Sequence, residues 1–406
     1  MNLLYLVHRL PYPPNKGDKV RSYHLLKHLA ARHRIFLGTF VDDPDDVQHV
    51  EFVQQLCAQT CIESINPRLQ TLKSAAAFIF NEPLGLRFYK SAHLQKWVNK
   101  LLDTGQIDAV VVFSSVMAQF LLLRDLQGLP PLLVDFVDVD SDKWSQYAKE
   151  RTWPLSWVYA REGVLLLKYE KKLSELAQAS FFATSNELAL FRKLTGSNAS
   201  NLMSIDNGVD TEFFQPDPMR SSPFGRDTSG AIKHLVFTGA MDYWPNVDAV
   251  KWFVSEVMPK LRTHHSNICF HIVGRKPGND VLGLACPDVK VTGTVPDVRP
   301  YLQFADVVVA PLRVARGVQN KILEAMAMGR PVVSARSCVD VIHANPGKDI
   351  LAANQIEDYV DSILQLLNQP FDAAQMGRAA RATVVQHYSW PTNLSKFDAH
   401  LLSEPN

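Results

Sequence analysis

Strand-like and helix-like stretches alternate along this chain in two successive rounds, and that alternation limits the available folds more than any single motif does. The first round opens with "NLLYLV" from Asn2, the amphipathic "VRSYHLLKHLAARH" from Val20 and "RIFLGTF" from Arg34. It continues through "DAVVVF" from Asp108, "PLLVDF" from Pro131 and "SFFATS" from Ser180. These strand segments are near-continuous apolar runs, the pattern of strands buried on both faces of a parallel sheet. In the intervening helix Tyr23, Leu26, Leu29 and Ala30 share a side and form a face for packing on that sheet.

From Asp206 the character changes. "DNGVDTEFFQPDPMRSSPFGRDTSG" is rich in Gly, Pro, Asp and Ser and suits a connection rather than an element. The second round then runs through "KHLVFTG", a helix from about Val247, "ICFHIVG", "VKVTG", "ADVVVAP", a helix in "NKILEAMAMG", "RPVVSA", and helices to about His387. A chain of 406 residues is comfortable as two domains of about 200 residues each. The reading is therefore α/β throughout: an N-terminal Rossmann-like domain over 1–205, a connection over 206–230, a second Rossmann-like domain over 231–388, and a C-terminal helix and tail over 389–406. The last helix, in "SWPTNLSKFDAHLL", is expected to start after Pro391 and to dock on a domain that sequence alone does not identify.

A formal net charge of +1 gives no global argument for nucleic-acid binding. The five cysteines are an odd, sparse set and fit a reducing compartment better than a disulfide framework. Cys57 and Cys61 have the spacing of neighbouring helical turns, and without a second pair they read as ordinary thiols rather than a zinc site. The start "MNLLYLVHRLPYPP" reads as a strand and its loop, not a signal peptide. Apolar stretches such as "AVVVFSSVMAQFLLLRDL" are broken by polar residues and fall short of a span of about 20 residues. A cytoplasmic protein is expected, with peripheral attachment to the inner face of the membrane left open. The segment "RTWPLSWVYAREGVLLLKYEKKLSEL" bears on that point, because its aromatic and basic residues suit either an anionic membrane surface or an inward-packed helix.

Several residues stand where parallel sheets bind ligands, just past strand ends. Gly17 lies in the first strand-to-helix loop, where a missing side chain allows close approach and the following helix N-terminus favours anions. The dinucleotide glycine series is absent from that loop. "VDFVDVDSDKW" places Asp135, Asp138, Asp140 and Asp142 after a buried strand, with Asp138 the preferred active-site member, to orient a hydroxyl or receive its proton. The cluster lacks calcium-loop spacing. In the second half Gly239 and Gly274 close strands where a Cβ would obstruct a ligand, and Arg275 and Lys276 follow at once. In "ARGVQNKILEAMAMGRPVVS", Lys321 and Glu324 share a face near a helix start. They suit a phosphate and a pair of hydroxyls, or equally a capped, solvated salt pair.

Four segments in order complete a pattern: "NGVD" at Asn207–Asp210, "GAMDYWPNVDAV" from Gly239, "VTGTVPDVRPYLQFADVVVAPLR" from Val291 and "GVQNKILEAMAMGRPVV" from Gly317. Together they resemble glycosyltransferase family 4, whose members have the GT-B architecture of two Rossmann-like domains facing across a cleft. The start "PYPPNKGDKVRSYHLLKHL" with "DFVDVDSDKW" resembles the subgroup associated with PEP-CTERM/exosortase systems and exopolysaccharide synthesis. The resemblance implies that Glu324 holds the two ribose hydroxyls of a sugar nucleotide. It implies that Lys321 lies at the diphosphate with the amides around Val318, Gln319 and Asn320, and that Thr294 and Val295 recognise the base. Gly17 corresponds to the loop that closes over the donor phosphates. Two departures stand out: Arg316 occupies the position eight before Glu324 where the family has another glutamate, and Met241-Asp242-Tyr243 replaces its arginine and lysine. The diphosphate is then left to Lys321, Arg316 or Arg275, and helix amides.

The implied activity is retaining transfer of a sugar from a nucleotide-diphosphate-sugar co-substrate to a lipid-linked or saccharide acceptor. No separate cofactor or metal is expected, because helix amides and cations can supply a divalent ion's charge. A GT-B sugar-nucleotide epimerase and a non-catalytic sugar-nucleotide-binding protein are the competing readings.

Overall fold

The computed structural model describes residues 1–14, 17–122, 128–225, 232–314 and 318–401. It divides into two compact units: 1–207 together with 393–406, and 208–392.

The first unit is built on seven strands: β1 (Asn2–Val7), β2 (Arg34–Val41), β3 (Gln59–Ser64), β4 (Ala109–Phe113), β5 (Leu132–Val137), β6 (Ala179–Phe182) and β7 (Leu202–Ser204). All pair in parallel in the order β3-β2-β1-β4-β5-β6-β7. The apolar run of β4 is buried along its full length, as a central strand covered on both faces requires. Cys61 lies on edge strand β3 and Cys57 in the turn before it, so the helical spacing expected of that pair is wrong. An edge strand with one mixed face carries too little apolar signal to outweigh a four-residue interval. All five cysteines are free.

Helix α1 (Gly17–Ala30) covers this sheet with Leu25, Leu26 and Leu29, and it also buries Lys19 and Arg21. Arg21, 1% exposed, donates from Nε to Asp135 at 2.7 Å and from Nη1 to the Ile205 carbonyl at 2.6 Å. Lys19 pairs with Asp46. Two charges sequence would place in solvent thus anchor α1, Arg21 to β5 and Lys19 to the 3-10 turn Pro44–His49 that follows β2. Helices α2 (Asp140–Lys149) and α3 (Leu155–Leu176) pack together beyond β5.

The second unit has six parallel strands: β8 (Lys233–Thr238), β9 (Ile268–Val273), β10 (Val289–Gly293), β11 (Val307–Ala310), β12 (Val332–Ala335) and β13 (Leu351–Ala353). Their order is β10-β9-β8-β11-β12-β13. Helices α4 (Trp244–Trp252) and α5 (Asn320–Ala327) follow β8 and β11. Ile322, Leu323, Met326 and Ala327 are buried on α5. Gly329, at φ +67°, supplies the left-handed turn that ends it.

The last helix, α6 (Trp390–Leu401), starts two residues earlier than expected and takes Pro391 into its first turn, where the missing N–H costs nothing. It docks on the first unit. Phe397 packs 4.6 Å from Phe181 between ring centroids, and Asp398 accepts from His28 at 2.9 Å and Arg32 at 2.6 Å. Gly208 of "NGVD" has its reason here too, since a Cβ there would lie 2.7 Å from the Trp390 ring.

Candidate functional site

In the second unit the strand order reverses between β8 and β11, and such a reversal opens a crevice at the carboxyl ends of a parallel sheet. Gly239 follows β8 there, and Lys321 enters from the first turn of α5. The lysine does not pair with Glu324: among the described residues the two make no ion pair, which removes the salt-pair reading. Instead Lys321 Nζ donates to Asn246 Oδ1 at 2.5 Å and lies 4.2 Å above the Phe237 ring. Asn246, buried in the first turn of α4, is held in turn by its Nδ2, which donates to the Ala240 carbonyl at 2.8 Å. A Cβ on Gly239 would sit 2.8 Å from both Lys321 Nζ and Asn246 Nδ2, so the glycine makes room for this amide–ammonium pair.

Burial pushes the Lys321 ammonium down to about 7, against the pull of Glu324. Burial likewise pushes the Glu324 carboxyl up to about 7, against the pull of Lys321. The Glu324 carboxylate accepts no hydrogen bond among the described residues. The two groups are therefore close enough to feel each other, and among the described residues their one side-chain hydrogen bond is that of Lys321 to Asn246. No side chain of the described residues caps the amides of α5 through its N-cap, Gln319, so Asn320 and Lys321 present backbone N–H groups at a positive helix end. Val318, Gln319 and Asn320 are half-buried along that approach.

The other expected contacts differ in kind. Gly274 is required by backbone, not by a ligand: a Cβ there would fall 1.6 Å from the Gly239 carbonyl oxygen. The two strand-end glycines are packed against each other. Arg275 is half-buried, and its guanidinium makes no hydrogen bond or ion pair among the described residues. Lys276 faces solvent beside Asp242 at 3.8 Å. Met241, in the segment that departs from the family pattern, is buried and donates its N–H to the Arg275 carbonyl at 2.8 Å. Thr294 and Val295 follow β10, the first exposed and the second half-buried, after Gly293 at φ +69°. Arg316 lies outside the described residues.

The first unit repeats the arrangement with different chemistry. Its strand order reverses between β1 and β4, and there a cavity of about 270 Å³ is lined by His8, Arg9, Ser114, Asp140, Lys143 and Tyr147 among others. Ser114 and Val137 both have positive φ, 70° and 67°. For a β-branched valine that is a strained backbone, held where the β5–β6 register shifts. The turn delivers Asp138 and Asp140 together, and Lys143 donates to both, at 2.8 and 2.9 Å. Asp140, rather than the preferred Asp138, lines the cavity. Asp135 points away into the buried pair with Arg21, and Asp142 is taken by Gln146. Gly17 starts α1 with open space where its Cβ would be. Among the described residues a Cys61–Glu63–His93 group stands close enough to hold a metal ion. Glu63 Oε1 there already accepts from Ser91 Oγ and the Leu94 N–H, so the carboxylate caps a helix.

The signal for Asn246 was present only as a letter in "WPNVDAV": its partner lies 75 residues away, and no local pattern links the two.

Both sheets and their order find counterparts in solved structures. Anabaena HepE in complex with UDP superposes with a TM-score of 0.65 over 99% of each chain, at 15% identity. Sucrose-phosphate synthase from Thermosynechococcus elongatus gives 0.65 over 98% of each, at 16% identity. The fold is GT-B. Within this GT-B chain, residues 232–369 match the family described as glycosyl transferases group 1. A GDP-mannose-dependent alpha-(1-6)-phosphatidylinositol monomannoside mannosyltransferase of Mycobacterium tuberculosis is 25% identical over 221 residues, 49% of this chain and 55% of the relative. The chain thus spans about half the length of the curated relatives it matches. HepE has also been solved with UDP-glucose.

Proposed function

We propose that this chain is a retaining glycosyltransferase that moves a sugar from a nucleotide-diphosphate-sugar to a saccharide or lipid-linked acceptor, in the exopolysaccharide setting its N-terminal segments resemble. The observation that carries the reading is Lys321: a half-buried cation with a neutral amide for its hydrogen-bond partner among the described residues, beside a helix N-terminus whose N-cap residue makes no side-chain cap bond, at the reversal point of a parallel sheet. A diphosphate satisfies all three features at once. Glu324, whose carboxylate accepts no hydrogen bond among the described residues, is assigned the ribose hydroxyls, and Thr294 and Val295 the base. Arg275 is the described cation free to assist. The matched family over 232–369 and the UDP and UDP-glucose complexes of HepE support a sugar-nucleotide donor in this unit.

The acceptor is assigned to the first-unit cavity, where the Tyr147 ring can meet a sugar's C–H face and Asp140 and Lys143 its hydroxyls. The bond from the anomeric carbon to the diphosphate oxygen breaks as the acceptor oxygen bonds on the same face. The departing diphosphate takes the acceptor's proton. Lys321 and the α5 amides hold the negative charge that develops there, which makes a divalent ion unnecessary. A lipid-borne acceptor would bring the chain to the inner face of the cytoplasmic membrane.

Mass analysis of products from UDP-glucose and GDP-mannose, screened against saccharide and lipid-linked acceptors with a chelator present, tests this. Acceptor-dependent product is expected. Lys321→Ala should lower the single-turnover rate by about 100-fold, the scale of losing one pre-organised charge-stabilising donor. Glu324→Ala should weaken donor binding by about tenfold or more, the loss of charge-assisted hydrogen bonds. Rapid acceptor-free epimerisation of the donor, or transfer unchanged in both variants, would overturn the assignment.

A further inference from the structure

The exposed face of the first unit beyond the cavity carries apolar side chains that a water-facing surface does not need. Tyr159 and Tyr169 of the segment after Arg151 pack inward, on Trp144 and on the core, but its two tryptophans turn outward: Trp153 is 80% exposed and Trp157 more than half. They do not stand alone. Phe78, from the short helix Ala77–Phe80, stacks on Trp157 with ring centroids 5.8 Å apart, and Ile79 beside it is 81% exposed. Leu72, on the preceding helix Pro67–Ser74, is 74% exposed. Two segments about 80 residues apart in sequence therefore combine into one apolar surface, and such contiguous patches mark interaction sites.

Its cations identify the partner. Arg161 lies 4.8 Å over the Phe78 ring and donates to the Ala77 carbonyl, which fixes the two segments to each other. Arg87 lies 4.2 Å over Phe80. Beside them a groove of about 450 Å³ is lined by Lys73, Arg87, Lys90 and Leu72. Lys73 and Lys90 are exposed and make no ion pair among the described residues. Unpaired ammonium groups interleaved with exposed Trp, Ile and Leu match the boundary of an anionic bilayer, where phosphates and acyl chains lie within a few ångströms of each other. The geometry points to this face as a docking surface for an anionic lipid membrane, with Ile79, Trp153 and Trp157 entering the interface and Lys73 and Lys90 meeting headgroups.

The inference deepens the proposal of a membrane-borne acceptor, because Gly85 and Glu162 of the cavity belong to the same segments as Arg87 and Arg161. It is tested without donor or acceptor, so the two can fail separately. The full chain is sedimented with phosphatidylcholine vesicles, with and without about one-third phosphatidylglycerol, at low and high salt. Binding to the anionic vesicles alone, reduced by salt, is expected. Ile79→Asp and Trp153→Asp, made singly so that either suffices, should each weaken it by about tenfold. Lys73→Ala with Lys90→Ala should remove most of the salt dependence. Phe371→Asp, at an equally exposed apolar residue of the second unit, should change nothing, and far-UV dichroism confirms that each variant is folded. No binding to anionic vesicles at low salt would overturn the proposal. Equal binding to neutral vesicles, equal loss in Phe371→Asp, or self-association abolished by Ile79→Asp without vesicle binding would do so as well.

Discussion

Asn246 decides what Lys321 can do before any ligand arrives. A carboxylate in its place would hold the lysine charged and give it a permanent partner. An amide donates its own N–H elsewhere and offers one neutral oxygen, leaving burial free to push the ammonium down to about 7. Glu324 is pushed up to about 7 by the same burial, so the pair titrates together around neutrality. A diphosphate would favour charged Lys321 and ribose hydroxyls would favour ionised Glu324, so the bound pair carries one positive and one negative charge. Above pH 7 the free protein has already lost part of that lysine proton, and below pH 7 it still holds part of the glutamate proton. UDP binding is therefore expected to take up a fraction of a proton at pH 8 and to release one at pH 6. Titration calorimetry in buffers of different ionisation enthalpy measures this directly. In Lys321→Ala the uptake at pH 8 should vanish, and uptake unchanged in that variant would place the proton elsewhere.

At the scale of elements, the packing of α2 on α3 contains a buried carboxylate of its own. Glu170 accepts from Ser141 Oγ at 2.6 Å, and its other oxygen is buried without a hydrogen-bond partner among the described residues. Burial pushes this group up to about 8 from an ordinary value of 4.5. Folding thus selects the protonated form, and its stabilisation is complete below pH 4.5 and is lost as pH rises through 8. Glu170→Gln keeps the acceptor and removes the charge, so its unfolding free energy should lack that decline and exceed the parent's at pH 9 by about 2 kcal/mol or more. Urea unfolding across pH 5 to 9 tests it, and parallel pH profiles for the two proteins would refute it. The elements themselves were legible where burial is symmetric. Central strands such as "AVVVF" and "ICFHIV" carry a continuous apolar signal because both faces are covered. Edge strands β3, β7 and β13, with "QTCIES", "LMS" and "LAA", are short and half-exposed and gave no such signal. Buried Arg21 and Lys19 were likewise invisible, because their compensation comes from Asp135 and Asp46 on other elements. The Lys321–Asn246 contact failed to show for the same reason. Local pattern reveals what a residue needs, and only the fold reveals what answers it.

At the scale of the whole molecule, each unit reverses its strand order once and sets its candidate residues at that reversal. The chemistry differs as two roles require. Among the described residues the second unit presents a cation hydrogen-bonded to a neutral amide, helix amides and a carboxylate that accepts no hydrogen bond, suited to a ligand with concentrated negative charge and vicinal hydroxyls. The first presents balanced charges and aromatic rings, suited to a neutral polyol. If this division is correct, lesions in the two units should separate binding from transfer in the full-length chain. Lys321→Ala should weaken UDP binding and abolish most transfer. Asp140→Asn and Lys143→Ala should leave UDP affinity within about twofold while lowering transfer by about 10- to 100-fold, since they act on the acceptor alone. Raising the acceptor concentration should restore part of the rate to these two variants and none to Lys321→Ala. Calorimetric UDP titration alongside single-turnover transfer at several acceptor concentrations separates the cases. An Asp140→Asn protein that loses UDP affinity as fully as Lys321→Ala would show that the first-unit cavity serves the donor, and the division of roles between the units would have to be redrawn.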